Sequence, residues 1–193
     1  MRPLPFDTKQ LNEEQTSVYE AILNGPRGEV VGPLKVWLKS PSLAMKAQDL
    51  GKFARYETSL SPIMSELAIL VTARIWSSGF EWSHHAPIAL ANGLEQHVVD
   101  ALSYAKIPVF NDEKLKLIFQ FCVELHRDYK VSDTTYSKAY ETLGETTVIE
   151  LVAICGYYGF ISMTINSFAV PDGEGPSLPE LDIPAHLMFK SEA

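Results

Sequence analysis

Cysteine is scarce in this chain: Cys122 and Cys155 are the 2 present among 193 residues. Both lie in apolar runs, so no disulfide framework, CxxC pair or four-thiolate zinc site can be built from them. On sequence alone they read as buried, inert thiols. Excess basic charge is also absent. Sixteen Lys+Arg stand against 24 Asp+Glu, a net charge of −8, which argues against nucleic acid and anionic membrane surfaces as partners. No segment sustains the period-two alternation of a half-buried strand. Met1 to Asp7 has no apolar stretch of the kind a secretory peptide needs. HExxH, GxSxG, the EF-hand loop and the dinucleotide fingerprint are missing as well.

What is present suits a packed core: 46% hydrophobic and 21% charged residues. The length allows one domain or two small fused halves. Helix signals recur along the whole chain. Asn12 precedes an acidic turn and apolar residues at helical spacing, which predicts a helix to about Leu23. Gly25 to Gly28 and Gly32-Pro33 break the pattern around a short helix at Leu34 to Leu38. Ser40-Pro41 and Ser61-Pro62 each place a cap residue before a proline at the first helical position. The second of these opens an almost wholly apolar helix to about Ser77, expected at the centre of the fold.

Further helices are predicted at Phe80 to Asn92 with Gly93 beyond its end, Glu95 to Tyr104, Glu113 to Lys130, Asp133 to Leu143, and Glu145 to Phe168. The last carries no charge from Leu151 onward and reaches membrane-spanning length. Its Gly156, Gly159, Ser162, Thr164, Asn166 and Ser167, and the lack of basic flanks, fit a helix buried in a water-soluble core better. The organisation read from this is an N-terminal helical segment over 1–59, a helical core over 60–170 and a Pro/Gly-rich tail over 171–193. That tail is expected to wrap a neighbour or stay mobile. One echo, Ser65 to Leu70 against Ile149 to Ile154, raises the idea of two related helical halves.

Chemistry concentrates in two places. Glu66 is an acid inside an apolar helix, where burial would raise its pKa; from spacing alone a solvent-reaching Glu near the helix start is the stronger reading. Glu81-Trp82-Ser83-His84-His85 is the densest cluster. Glu81 and His85 are one turn apart and share a helical face, so the carboxylate can orient the imidazole and raise its basicity. A metal chelate and a plain structural pair are the competing readings. Arg55, Arg74 and Tyr56 are candidates to hold an anionic substrate. Gly156-Tyr157-Tyr158-Gly159 reads as a helix-packing site, because a phosphate loop would need a strand before it and a basic residue beside it.

The run Ser65 to Leu70, then Phe80-Glu81-Trp82-Ser83-His84-His85, then Ala89 through Gly93-Leu94, resembles the carboxymuconolactone decarboxylase family, within the alkylhydroperoxidase D-like superfamily. The likeness is clearest over about Leu60 to Leu102 and looser over Leu11 to Pro171. It implies an all-α, compact multi-helix fold and homo-oligomers, trimers or hexamers. In the peroxidase branch a Glu on the first helix is followed by a CxxC and a His. Carried across, these positions are Glu66, Ser78, Glu81 and His85, so both cysteines are missing. Thiol-based peroxide reduction through that motif is therefore not expected.

The resulting expectation is a cofactor-free acid/base enzyme acting on a small organic acid or lactone. Glu66, Glu81 and His85 are its catalytic residues: His85 the proton donor, Glu81 its orienting partner, Glu66 a second acid or base. Trp82, His84, Ser78, Tyr56 and Arg74 are expected near the substrate, with Trp76, Phe80 and Trp82 as pocket walls. No metal or cofactor is expected, and no nucleic acid or membrane partner. The expected setting is the cytoplasm and the expected assembly a homotrimer or homohexamer. Two rivals stand beside this reading: a non-catalytic helical oligomer that binds a ligand or partner, and a redox protein using Cys122 or Cys155.

Overall fold

A computed structural model describes residues 8–187 and 189; the Met1 to Asp7 segment read for targeting signals lies outside them. Among the described residues the chain forms helices and no strand. In order these are α1 (Glu13–Leu23), α2 (Pro33–Trp37), α3 (Pro41–Tyr56), α4 (Pro62–Ile75), α5 (Gly79–Ala91), α6 (Gln96–Ser103), α7 (Glu113–Arg127), α8 (Asp133–Leu143) and α9 (Glu145–Phe168). A 3₁₀ turn at Ala185–Leu187 follows.

The helix starts follow local chemistry. Asn12 and Gln15 form a reciprocal capping box, and the Ser132 hydroxyl accepts from the Thr135 amide. Ser40 and Ser61 also stand at the cap position, yet neither side chain makes a capping bond. Pro41 and Pro62 set those starts instead, because the proline ring fixes φ near its helical value. Gly93 beyond α5 has φ +94°, as a helix-ending residue should. Two predicted ends are too long. The helix expected to reach Ser77 stops at Ile75, with Ser77 itself at φ +49°, and the one expected to reach Lys130 stops at Arg127, before Tyr129 at φ +60°. Left-handed backbone at a residue with a side chain carries no sequence signal comparable to glycine's.

Helix α4 is the hub. Every residue from Ser65 to Arg74 is buried, and α5, α6, α7, α9 and the 3₁₀ turn pack around it. Apolar residues on all sides of a helix leave it no face for water, so it must be enclosed. Helix α9 is partly enclosed, with α2, α3, α4 and α8 against it and Ile149, Val152 and Met163 exposed. By length and composition it is the one helix among the described residues that would span a membrane, but most of its apolar window is buried inside this fold. The N-terminal helices close over the same core, α1 on α3 and both α2 and α3 on α9. Trp37 stacks on Phe160 at 4.9 Å, and its indole N–H donates to Thr164 Oγ1 at 3.0 Å.

The described part of the tail makes contacts with its own chain. The Gly173 amide donates to Ser83 Oγ at 3.0 Å, and Arg74 Nη1 donates to the Pro179 carbonyl at 2.8 Å. Ala185 and Phe189 are buried in the core, with Phe189 edge-on to Phe119.

Candidate active site

Helices α4 and α5 fold back on each other through the Ser77-Ser78 turn, and this brings three predicted residues together. His85 Nδ1 lies 2.7 Å from Glu66 Oε2, and His85 Nε2 lies 3.4 Å from Glu81 Oε2. All three side chains are buried. The partners are ranked differently from the sequence expectation. Glu81, one turn away on the same helix, makes the longer contact. Glu66, from the neighbouring helix, makes the short charge-assisted bond that fixes the ring. Spacing within one helix shows that two side chains share a face. It does not show which side chain the packing of a second helix will insert between them.

Burial alone would push the His85 pKa down, because an imidazolium loses its hydration. The hydrogen bonds and charges of Glu66 and Glu81 outweigh that and hold it above the ordinary value of 6.5. The neighbouring His84 behaves in the opposite way. Burial, His85 and Arg55 bring its pKa down to about 4, so at neutral pH its ring is uncharged. Arg55 Nη2 lies 3.1 Å from His84 Nε2, and a guanidinium can only donate. Nε2 is therefore the acceptor, and Nδ1 of His84 carries the proton.

Around these groups is a small cavity of about 40 Å³ lined by Glu81, His84, His85, Phe80 and Tyr158 on one side. The opposite wall comes from the N-terminal segment: Arg27, Glu29, Val31, Pro33, Leu34 and Arg55. Glu29 is exposed, so the cavity reaches the surface there. Tyr158 and His85 meet in a T-shaped contact at 5.1 Å, and burial pushes the Tyr158 phenol well above 10, leaving it a protonated donor. Arg27 Nη2 donates to Tyr157 Oη at 3.1 Å.

The expected substrate contacts divide. His84 lines the cavity and Phe80 walls it. The others do not. Trp82 is 2% exposed and packs into the core. Ser78 is buried at the N-cap of α5 with no partner for its hydroxyl. Arg74 donates to the Ser103 and Pro179 carbonyls and to Ser77 Oγ, so it ties α4 to the chain around it, outside this cavity. Tyr56 is exposed with Arg55 over its ring at 5.2 Å, outside the cavity lining. Trp76 lines a different cavity. Arg27 and Tyr158 were not singled out as site residues from sequence, since nothing local to either shows which helices will meet there. The echo of Glu66 at Glu150 does not enter the site. Its carboxylate accepts from the Ser59 amide and hydroxyl, both at 2.6 Å.

No protein-family model and no curated protein matches the chain. Among solved structures it is similar to an uncharacterized peroxidase-related protein from Silicibacter sp. TM1040, with a TM-score of 0.71 and 13% identity over 90% of this chain and 94% of that one. The likeness is one of fold: the compact helical architecture of the alkylhydroperoxidase type.

Proposed function

We propose that this chain is a cofactor-free acid/base enzyme acting on a small organic acid or lactone, by decarboxylation or isomerisation. The observation that carries this reading is His85 held between two buried carboxylates, at 2.7 and 3.4 Å, on a cavity that also faces Arg55. An imidazole fixed at one nitrogen has its other nitrogen left for proton transfer. With Nδ1 engaged by Glu66, that nitrogen is Nε2, whose 3.4 Å contact to Glu81 is too long to occupy it fully.

In a decarboxylation, the bond to the departing carboxyl breaks and its electron pair moves into an enolate. Arg27 and Arg55 supply positive charge for the acidic substrate and the developing anion, and the Tyr158 phenol is a further hydrogen-bond donor. His85 Nε2–H then protonates carbon, and Glu81 stabilises the imidazolium before transfer. An isomerisation uses the same groups with the proton taken up and returned. The same reading carries a homotrimer or homohexamer, which sedimentation at micromolar concentration tests; a monomer rejects it.

The deciding experiment is turnover of a panel of carboxylated lactones and small keto acids, followed by ultraviolet absorbance and CO₂ release. His85→Gln and Glu66→Gln are expected to lower kcat by about 10²–10⁴, the range for losing general acid/base catalysis, and His84→Gln far less. Binding without turnover by the wild type would favour the non-catalytic ligand-binding reading. Equal effects of all three substitutions would remove His85 from its assigned role.

A further inference from the structure

A second chemically equipped cluster lies away from this site, where α4, α7 and α9 meet. Cys122 of α7 and Cys155 of α9, 33 positions apart in sequence, have their sulfurs 3.5 Å apart. Both thiols are buried and free. Their separation is too long for a disulfide, yet only about 1.5 Å of closure brings it to the bonded length of about 2.05 Å. His126 is one turn beyond Cys122 on α7. Thr72 Oγ1 is 2.8 Å from the Ala68 carbonyl and 3.0 Å from His126 Nε2. The hydroxyl hydrogen goes to the carbonyl, so the imidazole donates to Thr72 and its ring is held in place.

The two cysteines differ in environment. Cys155, together with His126, lines an open cavity of about 340 Å³ whose other walls include Trp76, Val152, Phe160 and Met163; Cys122 does not line it. The Trp76 indole nitrogen is buried without a hydrogen-bond partner and lies beside Gly159, which borders the same cavity. The hydrogen bond with Cys122, then the neighbouring His126, bring the Cys155 thiol down to about 6 against the opposing effect of burial. Burial and the neighbouring Cys155 push Cys122 up. The sulfur that faces the cavity is thus also the one whose thiolate is the more favoured.

We propose that Cys155 and Cys122 form a redox-active dithiol that exchanges with small apolar disulfides entering this cavity, Cys155 attacking and Cys122 resolving. The Cys155 thiolate attacks one sulfur of the disulfide RSSR, forming a mixed disulfide and releasing RS⁻. Cys122 then attacks the Cys155 sulfur, its proton leaves with the second RS group as RSH, and the Cys122–Cys155 disulfide forms. The dithiol loses two electrons and the small disulfide gains them. The apolar walls suit a soft, weakly hydrated thiol leaving group, and the Trp76 N–H beside them has no partner among the described residues.

The full-length native protein is treated with the aromatic disulfide 4,4′-dithiodipyridine, and thiopyridone release and protein mass are followed. The wild type should release two equivalents and end two hydrogens lighter, with a Cys122–Cys155 disulfide in its peptide map. Cys122→Ser should stop at the mixed disulfide with one equivalent released, and Cys155→Ser should release none while folded. Met163→Trp, at an exposed rim position, should slow the wild-type reaction severalfold without touching either sulfur. Release only after unfolding, release from Cys155→Ser at the wild-type rate, or an unslowed Met163→Trp would each overturn the proposal. Glu66→Gln should leave thiopyridone release unchanged, so this test stands or falls separately from the acid/base function.

Discussion

His85 and Glu66 are joined across the α4–α5 hairpin by a 2.7 Å bond between Nδ1 and Oε2, with both groups buried. A buried imidazolium is favoured only while its carboxylate partners are present. Its raised pKa links it to folding with a definite sign. The stabilisation is fully present below the unfolded value of about 6.5 and is lost as pH rises through the higher folded value. The stability difference between wild type and His85→Asn should therefore shrink on the alkaline side of neutrality. Glu66→Gln should bring the His85 titration down, read by NMR of the ring protons. An unmoved titration would show that Glu81 alone sets it.

His84, one residue earlier, should show the opposite linkage. Its pKa is depressed to about 4 by burial, with His85 and Arg55 adding to it, so the unfolded chain binds a proton there before the folded chain does. Folding stability from this group consequently falls as pH drops from about 6.5 towards 4. His84→Asn should resist acid better than the wild type in that window, measured by urea unfolding at stepped pH. Below the folded pKa the two should run parallel.

Much of the helical frame was legible in the sequence because each helix carries its own boundary chemistry. Ser-Pro pairs open α3 and α4, Ser132 caps α8, and Gly93 and Gly144 follow helix ends. The cluster of Glu66, Glu81 and His85 was legible through spacing and resemblance. Arg27 and Tyr158 were not, since their place in the cavity depends on the N-terminal segment crossing α9. The Cys122–Cys155 approach was hidden for the same reason. Two apolar runs say that both thiols are buried, and only the packing of α7 and α9 on the shared helix α4 says that they meet.

Gly51 shows how closely that N-terminal segment is fitted. It is buried in α3, where a Cβ would collide with the Tyr157 hydroxyl and with Arg27. Alanine normally stabilises a helix interior by up to about 1 kcal/mol over glycine, but overpacking costs about 1–3 kcal/mol. Gly51→Ala should therefore destabilise the protein and break the 3.1 Å Arg27–Tyr157 bond. Gly156→Ala in α9, where a Cβ meets nothing within 4 Å, should instead gain stability. Denaturant melts of both variants decide the matter, and equal shifts of one sign would contradict it.

The tail is held on α5 at a place the helix itself leaves open. Pro87 lies inside α5 and has no N–H to return to the Ser83 carbonyl. The chain passes that carbonyl at Gly175, where a Cβ would strike it, and the Gly173 amide donates to Ser83 Oγ at 3.0 Å. Ser83→Val removes the acceptor of the Gly173 amide, which lies on exposed chain, at a cost of about 0.5–1.5 kcal/mol. Gly175→Ala attacks the same contact from the other side by steric collision. Both variants should speed hydrogen exchange between Gly173 and Ala185 and expose that stretch to protease earlier than the wild type. The Arg74 bond to Pro179 and the Arg127 bond to Phe189 should still hold the far end. Exchange unchanged in both variants would mean that those two arginines, and not Ser83, fix the tail.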